Sequence, residues 1–130
     1  MKDFAVEKYI ELLESLITDN YEFQSFQQFL QLPAEKAIIL RHDVDLLPYN
    51  SLRFAQIQAE KNVKATYYFR AVPQSWNESV IKQIHELGHE IGYHYECLTT
   101  TKGDVEKGIA DFEKNLENLR KLAPVSTICM

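Results

Sequence analysis

The sequence contains little that would indicate a secreted, membrane-embedded or nucleic-acid-binding protein. Its 130 residues include only two cysteines, Cys97 and Cys129, and their wide separation argues against a disulfide framework or a structural zinc knot. No apolar run exceeds four residues, so no segment is predicted to span a bilayer. The formal net charge of −5, without a basic cluster, argues against nucleic acid as a partner.

Glycine and proline are also scarce, which is typical of a folded domain and not of a linker-rich chain. Charged residues run through positions 1–18, so this stretch lacks the apolar core of a signal peptide, and a cytoplasmic location is expected. Apolar residues at helical spacing predict a helix over residues 3–18 and a second over 22–32, ending at Pro33. Residues 1–35 are therefore predicted to form an N-terminal helical appendage.

From residue 36 to residue 130 the pattern alternates between strand and helix, which predicts one α/β domain. The predicted strands cover residues 37–42, 65–70, 90–95 and 125–129, and the predicted helices cover 48–62, 77–87 and 104–122. Asn77 is a suitable N-cap, and Gly88 is the expected C′ residue of the same helix. Alternation of this kind predicts a parallel sheet with right-handed crossovers. About four strands leave the sheet open, as in the first half of a larger α/β barrel.

Charged residues follow the ends of the predicted strands. Asp43 and Asp45 close the first strand, Arg70 the second, and His94 and Glu96 the third. Because the C-terminal ends of parallel strands meet at one edge of a sheet, these side chains are expected to converge. Clustered carboxylates need a cation between them, which predicts a metal or acid/base site. The alternative is a structural ion-pair cluster of these acids with the neighbouring arginines.

Three segments resemble one known family. Ile-Leu-Arg-His-Asp-Val-Asp (39–45), Lys-Ala-Thr-Tyr-Tyr-Phe (64–69) and Gly-His-Glu-Ile-Gly-Tyr-His (88–94) have the order and spacing of motifs in the polysaccharide deacetylase family, the NodB-homology domains of carbohydrate esterases. The resemblance implies an irregular (β/α) barrel. It also implies metal-dependent removal of acetyl groups from an acetylated sugar or polysaccharide precursor, with a divalent ion, zinc foremost, as cofactor.

The same resemblance implies roles for individual residues. Asp43 is expected to be the catalytic base, with Asp45 and His94 as metal ligands. Leu98 stands where the family has a second histidine, so Glu96 becomes a further candidate ligand, with His89 as the alternative. The predicted substrate-binding residues are Arg41, His42, Arg70, Tyr93 and Tyr95. Packing in the core is the alternative role for His42 and for the tyrosines.

Two further hypotheses remain open. The substitution by Leu98 favours a catalytically silent, deacetylase-like module that binds carbohydrate or a partner protein. The open sheet favours a half-barrel that needs another chain, for example as a homo-oligomer that completes the sheet.

Overall fold

The computed structural model describes residues 4–130, which form an α/β fold with two parallel sheets. The helices are α1 (Val6–Thr18), α2 (Phe26–Gln31), α3 (Pro48–Glu60), α4 (Glu78–Glu86), α5 (Cys97–Thr100) and α6 (Val105–Arg120). The strands are β1 (Glu22–Phe23), β2 (Ala37–Ile38), β3 (Arg41–Val44), β4 (Thr66–Arg70), β5 (Glu90–His94) and β6 (Ile128–Cys129). From β3 onwards strands alternate with helices, as the sequence predicts.

The larger sheet has the order β3-β4-β5-β6, and all of its pairs are parallel. Each strand from β4 to β6 pairs with the strand that precedes it in sequence, and always at the same edge of the growing sheet. Right-handed crossovers in this order place all of the connecting helices on one face. The buried core confirms this arrangement, because apolar residues of α3, α4 and α6 pack there against alternate residues of the strands. The core includes Leu52, Ala55, Val80, Ile81, Ile84 and Leu119 from the helices and Val44, Tyr67, Phe69, Ile91 and Tyr93 from the strands.

The signals for the ends of α4 are confirmed. The Asn77 side chain accepts a hydrogen bond from the Val80 N–H at 3.0 Å. At the other end Gly88 has φ +89°, a left-handed conformation that favours glycine, and its N–H donates to the carbonyl of His85. The following strand begins two residues later, so this turn sets where β5 starts.

In the N-terminal region the first predicted helix is confirmed as α1, while residue 3 of that prediction lies outside the described residues. The second predicted helix, over residues 22–32, differs from the structure. Residues 22–23 form β1, which pairs with β2, and only Phe26–Gln31 of the predicted second helix is helical. Ser25 caps α2 in a capping box, and this signal for a helix start lies inside the segment whose aromatic spacing indicated a continuous helix. The predicted strand over 37–42 is likewise divided, since β2 belongs to the smaller sheet and β3 to the larger one.

Besides the pairing of β1 with β2, the N-terminal region contacts the rest of the fold at two places. On the helical side α1 packs on α3, with the rings of Tyr9 and Phe54 4.8 Å apart. At the N-terminal end of the strands the first two N–H groups of α2 donate to Thr66 Oγ1 and to the Glu90 carboxylate, both at 2.9 Å. These bonds connect α2 to β4 and β5, and they supply hydrogen-bond partners to polar groups that are buried there.

Candidate functional site

Three side chains from three different strands converge on the face of the larger sheet that the helices leave open. The nearest ligand atoms of Asp43 (β3), His94 (β5) and Cys129 (β6) all lie within 4.8 Å of one another. In a flat sheet β3 and β6 would be three strand spacings apart, roughly 14 Å. The sheet is therefore strongly curved, and its concave side faces this group.

His94 and Cys129 are directly in contact. The two residues are register partners in β5 and β6, and His94 Nδ1 lies 3.1 Å from Cys129 Sγ. Burial raises the pKa of the Cys129 thiol to about 11, against the opposing effect of the Arg41 guanidinium. Without a bound cation Cys129 is thus a neutral thiol at pH 7, able to share a hydrogen bond with the imidazole.

Asp43 is held by Arg41. Two parallel hydrogen bonds join them, from Arg41 Nε to Oδ1 at 2.9 Å and from Nη2 to Oδ2 at 3.0 Å. The guanidinium lies 5.2 Å from the ring centre of Tyr68, and that ring crosses β5 at Gly92, where a Cβ would overlap it. The absence of a side chain at position 92 therefore positions Tyr68, and Tyr68 in turn forms the surface beneath Arg41.

Arg70 organises the second group of acids at the ends of the strands. Its Nη2 donates to Glu96 Oε2 at 3.0 Å, and its Nε lies 3.9 Å from Asp45 Oδ1. Ser75 joins the ends of the two strands, because its hydroxyl donates to the Val44 carbonyl and accepts from the Arg70 N–H. The structure thus brings Asp45 and Glu96 to Arg70 and not to the Asp43–His94–Cys129 group.

The separation of Asp43 from Asp45 has a local cause. Alternation along an extended strand predicts that residues two apart share one side, but β3 ends at Val44. The chain then turns, and the Asp45 N–H approaches the Asp43 carbonyl at 3.2 Å. Alternation consequently no longer fixes the direction of the Asp45 side chain.

His42 faces the helical side, in a network of buried polar groups. Its ring stacks on Tyr67 with centroids 4.5 Å apart, and its Nε2 lies 2.7 Å from the Gln58 amide nitrogen. The same Gln58 amide donates to the Tyr9 hydroxyl and accepts from the Tyr67 hydroxyl, both at 2.6 Å. Burial, and secondarily the nearby His89, lower the pKa of His42 to about 4. This geometry fits the packing role considered for His42.

Three other residues considered for the site lie away from the concave face. Tyr93 is only 1% exposed and packs against Phe112, so it offers no surface to a sugar. Tyr95 also packs edge-on to Phe112, although it is half-buried. His89 is buried, accepting from the Ala65 N–H and donating to the Ala55 carbonyl.

Cys129 is a site residue that the sequence reasoning missed. The wide spacing of the two cysteines excludes a local zinc motif but says nothing about residues joined by the sheet. The available signal was its position at the end of the fourth predicted strand, where the rule that selected Asp43 and His94 applies equally. Leu98, at the position of the second family histidine, is 53% exposed and cannot bind a metal.

Comparison with protein-family models, curated proteins and solved structures finds no match. Within residues 4–130, no helix has both the length and the apolar character needed to cross a membrane.

Two clefts border the converging side chains. One, of about 370 Å³, lies beside Arg41 and Asp43 and is walled by Leu46, Leu47 and Phe54. The other, of about 530 Å³, runs past His94 and Glu96 along the apolar side of α6. Leu47 has φ +53°, a left-handed conformation that is unusual for leucine, so the wall of the first cleft includes a strained residue.

Proposed function

We propose that this chain is a metal-dependent hydrolase of the polysaccharide deacetylase type, which removes acetyl groups from amino sugars or related carbohydrates. The observation that carries this proposal is the convergence of a carboxylate, an imidazole and a thiol at the C-terminal ends of three parallel strands. The three motifs that resemble the family contribute Asp43, Tyr68 and His94 to this same concave face.

The curvature of the sheet supports a barrel-type architecture. Strands added in sequential order, with helices on one face only, wind in a single direction. A doubly wound sheet would instead reverse the strand order and carry helices on both faces. The barrel is part of the proposal, and the short distances among Asp43, His94 and Cys129 are its main support.

The donor set suits a divalent transition metal, zinc in particular. Zinc accepts carboxylate, imidazole and thiolate ligands at about 2.0–2.3 Å, with catalytic sites using three protein ligands and one open position. Separations of up to 4.8 Å among the donor atoms require modest side-chain adjustment, including release of one Asp43 oxygen by Arg41. A bound ion would polarise an acetyl carbonyl and activate water.

The geometry favours roles for the two aspartates that reverse those implied by the resemblance. Asp43 lies with His94 and Cys129, which suits a metal ligand. Asp45 lies outside this group with its side chain 63% exposed, and one of its carboxylate oxygens is 3.9 Å from Arg70 Nε. Arg70 also donates from Nη1 to the Asp45 backbone carbonyl at 3.3 Å, which ties this residue to Arg70. We therefore assign proton transfer from water to Asp45, and positioning of Asp45 and Glu96 to Arg70.

The experiment that tests the proposal is release of acetate from N-acetylated amino-sugar oligomers by the zinc-loaded chain. Asp43→Asn should lose both metal and activity. Asp45→Asn should retain the metal while the rate falls by roughly 10²–10⁴, the usual contribution of a general base. Asp19→Asn, an exposed acid remote from the site, is the matched control and should keep full activity.

Loss of metal in Asp45→Asn with retention in Asp43→Asn would restore the roles implied by the resemblance. Absence of acetate release from a zinc-loaded wild-type chain would contradict the hydrolase proposal.

A second candidate function is a catalytically silent module that binds carbohydrate. The observation in its favour is that both oxygens of Asp43 are already paired with Arg41, while Arg70 pairs with Glu96. Arginine can neutralise these acids without any metal. Binding of amino-sugar oligomers without metal uptake would favour this function.

A further inference from the structure

We propose that two copies of this chain join edge to edge, each β6 pairing in parallel with the partner's β3, to close one eight-stranded barrel around both candidate sites. The proposal depends on the edges and surfaces of the chain and does not require the hydrolase activity.

The first support is that the outer edge of β6 is free. The carbonyls of Thr127, just before β6, and of Cys129 accept hydrogen bonds from the N–H groups of Tyr93 in β5 and of Tyr95 just after it. Because backbone groups alternate along a strand, the N–H and carbonyl of Ile128 point away from β5. In residues 4–130, no strand pairs with this edge.

The second support is that the outer edge of β3 is free as well. The Leu40 carbonyl accepts from the Thr66 N–H of β4, and the Ile38 carbonyl accepts from the Gln24 N–H next to β1. These carbonyls are two residues apart and so face the same side of an extended chain. Strand β1 therefore continues the line of β4. On the opposite edge of β3, the Arg41 and Asp43 N–H groups have no backbone partner among residues 4–130.

The third support is the number of elements. Residues 4–130 of each copy supply four curved parallel strands, β3 to β6, and four helices of nine residues or more, α1, α3, α4 and α6. Two copies supply eight of each, the number in a closed (β/α)₈ barrel. Helix α1 already lies beside α3, where Lys61 and Glu14 form an ion pair at 2.6 Å. In the assembly it covers the junction between β3 and the partner's β6 from outside.

The surface of the chain is consistent with this partner. The chain exposes 8259 Å², whereas a compact monomer of 15.2 kDa is expected to expose roughly 7,100 Å². The excess from two copies, about 2,300 Å², is comparable with the area buried in stable dimers. Large apolar side chains are exposed near both edges. Leu46, Leu47 and Tyr49 follow β3, Ile128 lies in β6, and Val105 and Ile109 line a cleft together with Met130, the residue after β6.

Two-fold symmetry closes the assembly, because each copy offers one β3 edge and one β6 edge, and both junctions are the same. The concave faces then enclose a common packed interior, and the Asp43–His94–Cys129 group of each copy lies at the C-terminal end of the closed barrel. A single copy leaves this group at the open side of the sheet.

Sedimentation velocity of the full chain across a dilution series tests the proposal. The wild-type chain should sediment near twice its 15.2 kDa mass and dissociate only on dilution. Ile128→Pro removes the outward N–H of β6 while sparing the Thr127 and Cys129 carbonyls that bond to β5, and it should shift the chain to monomer. Leu47→Asp should do the same at the β3 edge. Leu30→Asp, an equally exposed leucine on α2, is the control and should remain dimeric.

Hydrogen exchange of the wild-type chain keeps the test independent of whether the variants fold. The amide N–H groups of Arg41 and Ile128 should be protected at high concentration and should lose that protection on dilution. A wild-type chain that is monomeric at every concentration would overturn the proposal. So would a dimer in which both amides exchange freely, since its interface would lie elsewhere.

Discussion

Acidification should destabilise this fold through His42, because the buried network accepts this side chain only in its neutral form. The Gln58 amide nitrogen can only donate, and it lies 2.7 Å from His42 Nε2. His42 Nε2 must therefore accept this hydrogen bond, which requires the neutral imidazole. Burial of the imidazole, and secondarily the nearby His89, lower the pKa of His42 from 6.5 to about 4. Protonation would in addition place two donors opposite each other in the network. His89 contributes in the same direction, since burial also lowers its pKa.

The magnitude follows from proton linkage. A group whose pKa is lower in the folded state than in the unfolded state takes up its proton on unfolding, so stability falls as pH falls. For His42 the loss begins near pH 6.5, reaches about 2 kcal/mol at pH 5 and approaches about 3 kcal/mol below pH 4, since one pKa unit is worth about 1.4 kcal/mol.

Urea unfolding from pH 8 to pH 4.5 measures this loss, and the comparison with His42→Phe isolates it. The phenylalanine can keep the stack on Tyr67 but cannot take up a proton, so the stability difference between the two proteins should change by about 2 kcal/mol between pH 8 and pH 5. His85→Gln, at an exposed site on α4, is the control and should retain the wild-type pH dependence. Parallel pH profiles for wild type and His42→Phe would refute the reasoning.

Two further substitutions test the close approach of Tyr68 to β5 and the N-cap of α4. Gly92→Ala should lower the free energy of unfolding in urea by about 1–3 kcal/mol, because its Cβ would overlap the Tyr68 ring; an unchanged value would contradict the close approach. Asn77→Ala should cost about 1 kcal/mol through loss of the cap on the Val80 N–H, whereas Asn77→Ser should restore most of it; equal losses in both variants would rule out capping as the cause.

Much of the α/β fold could be predicted from the sequence because local signals agree with the tertiary structure there. Asn77 and Gly88 bound α4, and Asp104 caps α6 by accepting from the Lys107 N–H. Prediction was less successful where the conformation of a segment depends on the strand that it pairs with. Glu22 and Phe23 are extended because they pair with β2, and helical spacing alone does not contain that information.

The candidate site was predictable in outline only. The rule that reactive residues follow parallel strands selected Asp43 and His94, which the curved sheet brings together. It could not place Asp45, because the chain turns after Val44. It also overlooked Cys129, which enters the group through curvature of the sheet. Curvature depends on packing across four strands and has no local signature in the sequence.

The most direct test of the account is zinc binding by the purified chain, measured by equilibrium dialysis and metal analysis. We expect close to one ion per chain for the wild type and for Cys97→Ser, because the Cys97 thiol faces the Tyr93 hydroxyl of the core. His94→Ala and Cys129→Ser should weaken binding by more than about tenfold, since even residues that only support a metal ligand contribute that much. No specific binding by a folded wild-type chain, or equal binding by all four proteins, would contradict the central claim.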